Sequence, residues 1–174
     1  MQNIAVILIA LLFSPVMVNA QINGVNGTNG FNSDQVTINV SATVNGSIEL
    51  ITIQTMDFQQ VDRQNNIVEV DPIQSERAGK LVARGAPGTE FRLNYLPERE
   101  ITNTTGVGLL MFYYNVAGNG IDEQETSELL GQEAREMRFN SDGEFYIWVG
   151  GRVDLNDAEP GSYEGEFTIE IEYI

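Results

Sequence analysis

Residues 145–155 alternate between apolar and mixed positions. One parity carries Phe145, Ile147, Val149, Gly151, Val153 and Leu155, and the other carries Tyr146, Trp148, Gly150, Arg152 and Asp154. A period of two puts successive side chains on opposite faces of an extended chain, so this stretch is a β-strand with one apolar face. The phase holds through Gly150-Gly151, which predicts a bend or a close backbone approach inside one long strand. After a turn at Glu159-Pro160-Gly161-Ser162 the alternation resumes, with Tyr163, Phe167, Ile169, Ile171 and Tyr173 against Glu164, Glu166, Thr168, Glu170 and Glu172. We expect the odd-numbered side chains of this second strand to face inward and the two strands to form a terminal hairpin. Burying each large apolar side chain is worth about 1.5–3 kcal/mol, so a one-residue slip that turned the glutamates inward would forfeit most of the stabilisation.

The same pattern recurs upstream. Val36, Ile38, Val40, Ala42 and Val44 alternate with Thr37, Asn39, Ser41 and Thr43, and Asn45-Gly46 then predicts a hairpin whose returning strand covers residues 48–55. Short strands follow around residues 67–70, ended by Pro72, and at 79–84. Ala86-Pro87-Gly88 reads as a turn, and Phe91, Leu93 and Tyr95 alternate up to Pro97. Residues 100–105 read as a polar edge strand. Residues 109–116 are apolar on both parities and predict a central strand or the most buried one. Residues 118–135 break the pattern and predict a long acidic loop with one helical turn, after which Met137 and Phe139 open a last short strand. Short strands at about ten-residue intervals, separated by Gly, Pro and Asn turns, predict an all-β fold, an antiparallel sandwich of about nine strands, with a small closed barrel as the alternative.

Composition changes the picture at the N-terminus. Residues 1–20 have the apolar core of a signal peptide, too short to span a bilayer, and Val18-Asn19-Ala20 supplies small residues at the cleavage site, although the leader lacks Lys and Arg. Residues 21–35, in which Asn-Gly occurs three times, predict a flexible arm. The domain proper is then 36–174, large enough to fold on one core without a staple. We expect the chain to be secreted to the periplasm, the cell surface or the medium, with no membrane insertion once the leader is removed.

The chain has 174 residues, a formal net charge of -16 and one lysine, Lys80. Such a surface repels nucleic acid and anionic lipid, and leaves a divalent cation or a basic partner as the attractive options. With no His and no Cys, His-dependent triads, ordinary zinc sites, disulfides and thiol chemistry are all excluded. Walker and Rossmann glycine motifs are missing too. Paired carboxylates are inevitable among 25 acidic residues and single out no catalytic residue, so we expect a non-enzyme without a cofactor.

Two sets of residues remain as candidate sites. Asp154, Asn156, Asp157 and Glu159 gather oxygen ligands in one tight turn and are a candidate calcium site, against the plainer reading of an acidic turn. Tyr146 and Trp148, about 7 Å apart along a strand, are a candidate platform for stacking on a glycan. The competing reading packs Trp148 into the core at the strand's bend.

Finally, the runs Val149-Gly150-Gly151-Arg152-Val153-Asp154-Leu155 and Pro160-Gly161-Ser162-Tyr163-Glu164-Gly165-Glu166-Phe167-Thr168-Ile169 resemble the closing signature of the exported bacterial domain of unknown function 4402. Met56-Asp57-Phe58 and the stretch Ala83-Arg84-Gly85-Ala86-Pro87-Gly88-Thr89-Glu90-Phe91 are similar to its earlier motifs, with Gln59 where the family has Gly. The resemblance implies an immunoglobulin-like β-sandwich, similar to subunits of surface fibres, and implies no catalytic residues. The expected function is a secreted structural or adhesive, fimbria-like domain. Its partners would be other copies of itself or fibre subunits, joined by strand addition. A secreted glycan- or calcium-binding module is the alternative.

Overall fold

The computed structural model describes residues 35–44, 47–58, 66–131 and 136–174; the leader and nearly all of the arm lie outside the described residues. Eleven strands follow one another: β1 (Gln35–Val44), β2 (Glu49–Gln54), β3 (Ile67–Val70), β4 (Gly79–Arg84), β5 (Glu90–Tyr95), β6 (Glu98–Asn103), β7 (Leu109–Asn119), β8 (Glu128–Leu129), β9 (Met137–Arg138), β10 (Glu144–Asp154) and β11 (Ser162–Tyr173). Among the described residues a 3-10 turn at Gln124–Thr126 is the only helix. The chain is an antiparallel all-β sandwich. One layer runs β2-β4-β10-β7, the other β1-β11-β5-β9, and β6 carries the hydrogen bonding from β7 to β11.

Alternation is what makes two layers out of this sequence. Phe145, Ile147, Val149 and Val153 from β10 and Tyr163, Phe167, Ile169 and Ile171 from β11 are all buried, so each strand lays its apolar parity on the same core. Aromatic rings meet across it, Phe91 with Phe145 at 5.1 Å and Tyr114 with Phe167 at 4.4 Å between centroids. Among the described residues no pairing joins β2 to β9, so the sheet does not close into a barrel.

Four pairings or exposures differ from the sequence expectation, and one physical reason covers most of them: a period of two fixes which face a residue occupies and leaves the neighbouring strand open. β10 and β11 do not form a hairpin. β10 pairs with β3, β4 and β7, and β11 with β1, β5 and β6, so the turn at 159–162 carries the chain from one layer to the other. β1 and β2 do not form a hairpin either: β1 runs parallel to β11 from Gln35↔Ser162 to Val44↔Ile171, while β2 pairs antiparallel with β4. Strand β6 is not an edge, because β7 and β11 both pair with it. Strand β7 is paired on both sides, with β10 and with β6, but covered on one face only, with Phe112, Tyr114 and Val116 buried and Leu109, Met111 and Tyr113 exposed.

Gly150-Gly151 behaves as the alternation predicts. β10 runs unbroken through the pair, and there its neighbour changes from β4, last paired at Val149↔Gly79, to β3, first paired at Gly151↔Val70. A side chain at Gly150 would run into the Val70 carbonyl and the Pro72 backbone, where the β3–β4 connection crosses over.

Candidate functional site

Tyr146 and Trp148 take the parity of β10 opposite to Phe145 and Ile147, beside Val82 and Lys80 of β4, and pack with the core cluster. Their rings stack at 6.3 Å between centroids. The Lys80 ammonium lies 5.7 Å from the Tyr146 ring and 5.9 Å from the Trp148 ring, and pairs with Asp122 at 2.5 Å. The Tyr146 hydroxyl donates to Glu144 Oε2, and Arg84 Nε donates to Glu144 Oε1 at 3.0 Å. The bond from Tyr146, followed by that from Arg84, holds the Glu144 carboxyl below its ordinary range. The same bond to Glu144, helped by burial, pushes the Tyr146 hydroxyl up to about 12. Stacking on a sugar needs an open ring face. Trp148 is 2% exposed and Tyr146 is half-buried, so the structure brings the pair together without a free indole face.

Asp154, Asn156, Asp157 and Glu159 are all exposed in the turn after β10. Asp154 Oδ1 accepts from the Asn156 backbone N–H at 2.9 Å, and Asn156 Oδ1 accepts from Asn66 Nδ2 at 3.0 Å. These are the bonds of an ordinary Asx turn tied to the start of β3. Among the described residues no group of three or more Asp and Glu side chains converges closely enough to hold a metal ion.

The arrangement with the most definite recognition geometry is the edge formed by β1 on β11. It is a ten-residue ladder, the one parallel pairing among the described residues, and β1 has no other partner strand there. Parity places Val36 and Ile38, 8% and 3% exposed, over the inward row of β11. In that row Tyr163, Phe167, Ile169 and Ile171 are each exposed by 1% or less. Gly165 interrupts the row opposite Ile38, and a side chain there would overlap Ile101, which is fully buried. The Tyr163 hydroxyl donates to the Glu159 carbonyl at 2.8 Å and so anchors the start of β11 to the preceding turn.

Such an edge supplies main-chain hydrogen bonds for affinity and alternate apolar seats for register, which is the chemistry of strand addition. Sequence reasoning missed Gly165 as a register residue, although a glycine at an inward position of a strict alternation is the signal. Among the described residues no helix is long and apolar enough to cross a membrane. No family model and no curated protein matches the chain.

Proposed function

We propose that this chain is an exported, non-enzymatic structural or adhesive domain of a fimbria-like surface fibre, in which β1 is the strand that links one copy to the next. The single observation that supports this is the β1 ladder. Among the described residues the first strand after the Gly/Asn-rich arm pairs with β11 alone, with Val36 and Ile38 buried on one parity. An identical strand from a second copy would make the same hydrogen bonds and fill the same seats, so exchange changes only the link at residues 45–48. The lack of His and Cys and the acidic surface agree with a structural role.

The test uses the mature chain, residues 21–174, and a version that lacks residues 21–44. Peptide Gln35–Val44 added in trans should bind the shortened chain and raise its melting temperature. The full chain, refolded at high concentration, should show oligomers by light scattering. A shortened chain as stable as the full one, or one indifferent to the peptide, overturns the proposal.

A further inference from the structure

The outer face of β7 exposes a row of apolar side chains that the fold does not need. Leu109 is 60% exposed, Met111 37% and Tyr113 41%, and Val107, in the loop just before the strand, is 88% exposed. Alternate residues of a strand stand about 7 Å apart, so Leu109, Met111 and Tyr113 form a ridge about 14 Å long, with Val107 just before it in the loop. Isolated exposed apolar residues are ordinary; a row of them on one face marks an interaction surface.

Both ends of the ridge are held in place. Asn103, 5% exposed, accepts from the Thr105 N–H at 2.9 Å and from its hydroxyl at 3.1 Å, and its own N–H donates to the Gly108 carbonyl at 2.9 Å. Thr104 N–H donates to the Ser162 carbonyl at 2.7 Å. The loop that carries Val107 is thus tied to β11, and little ordering entropy is left to lose on binding. At the other end the Arg152 guanidinium lies over the Tyr113 ring at 5.5 Å.

Charge identifies the partner. In register beside the ridge, β6 places Glu98 next to Tyr113 and Glu100 next to Met111, both exposed. The rim is acidic along β6 while Arg152 of β10 flanks Tyr113 on the other side, so the ridge fits a surface that is apolar at its centre and basic along the edge that meets β6. A second copy that met this ridge with its own ridge would bring the two Glu98 and Glu100 rims together as like charges.

We propose that the ridge from Val107 to Tyr113 is a docking surface for a basic, amphipathic polypeptide, separate from the β1–β11 edge. The probe is a short peptide of alternating valine and lysine, titrated calorimetrically into the mature chain, with an alternating valine and glutamate peptide as its counterpart. The lysine peptide should bind and the glutamate peptide should not. Leu109→Thr with Met111→Thr should weaken binding about tenfold or more, as should Glu98→Gln with Glu100→Gln. Removing the same charge elsewhere, Glu170→Gln with Glu172→Gln, should leave binding within about twofold. Equal loss from both glutamine pairs, or no loss from the threonine pair, overturns the proposal by reducing the contact to general charge attraction. Self-association of the wild type that the threonine pair abolishes also overturns it, by making a second copy the occupant. The threonine pair and the Glu98/Glu100 pair lie outside the β1 ladder, so either proposal can fail alone.

Discussion

Ile38 of β1 stands opposite Gly165 of β11, the one inward position between Tyr163 and Ile171 without a side chain. The space is taken by Ile101, brought up by β6 where that strand crosses between the layers. Gly165 therefore sets two things at once, the closeness of β6 and the seat of Ile38. Gly165→Ala should overpack this point and cost about 1–3 kcal/mol in urea unfolding. Unchanged stability would mean that Ile101 gives way freely and that Gly165 does not define the register.

Faces were legible in the sequence and partners were not. The parity from Tyr163 to Tyr173 gives the inward row of β11 correctly, because burial depends on a local period. Its neighbours β1, β5 and β6 lie far away in sequence, and nothing local encodes them. Asn45-Gly46 is a strong hairpin signal, yet β1 and β2 belong to different layers, so the tertiary pairing outweighs the turn preference. Residues 109–116 misled for another reason. Apolar residues on both parities usually mean two covered faces, and here the second face is the exposed ridge. Of the candidate site residues, Tyr146 and Trp148 do meet, whereas Asp154 Oδ1 accepts from the Asn156 N–H and Asn156 Oδ1 accepts from the distant Asn66.

The glycine pair in β10 offers a paired test. An added Cβ at Gly150 would lie 2.8 Å from the Pro72 nitrogen and closer still to the Val70 carbonyl, whereas at Gly120 nothing lies within 4 Å. Gly150→Ala should lower stability by about 1–3 kcal/mol, and Gly120→Ala should change it by less than about 0.5 kcal/mol. Equal effects of the two substitutions would contradict the crossing of the β3–β4 connection over Gly150.

Trp148 is the one tryptophan of the chain and is 2% exposed, under the Lys80 ammonium. Its emission maximum should be blue-shifted in the folded protein, with weak acrylamide quenching, and should move to the red on unfolding. A water-like maximum in the native state would show that the indole is open to solvent, and would return it to consideration as a stacking surface for sugars.

Tyr114 poses a different question. It is 3% exposed, packed against Phe112 and Phe167, and its buried hydroxyl has no hydrogen-bond partner among the described residues. A buried unsatisfied hydroxyl costs about 1–3 kcal/mol, so Tyr114→Phe should be neutral or stabilising, by up to about 1 kcal/mol. A loss larger than that in thermal unfolding would reveal a partner for the hydroxyl, such as an ordered water.

Alkaline pH separates two causes that raise tyrosine ionisation to the same range. Burial pushes the Tyr114 hydroxyl up to about 12, and the bond to the Glu144 carboxylate is the main cause that pushes Tyr146 up to about 12. Burial raises Tyr95 as well. The folded chain holds these protons more tightly than the unfolded chain, where tyrosine ionises near 10.0. The contribution of Tyr114 and Tyr146 to stability is thus fully present below about pH 10 and is lost as pH rises through about 12. Glu144→Gln removes the carboxylate but keeps an acceptor, so tyrosinate absorbance should show one residue returning toward its ordinary range while the buried tyrosines stay late. If the titration of the Gln variant overlays that of the wild type, the Tyr146–Glu144 bond does not persist in solution, and the ordered strip from Arg84 to Lys80 loses its middle link.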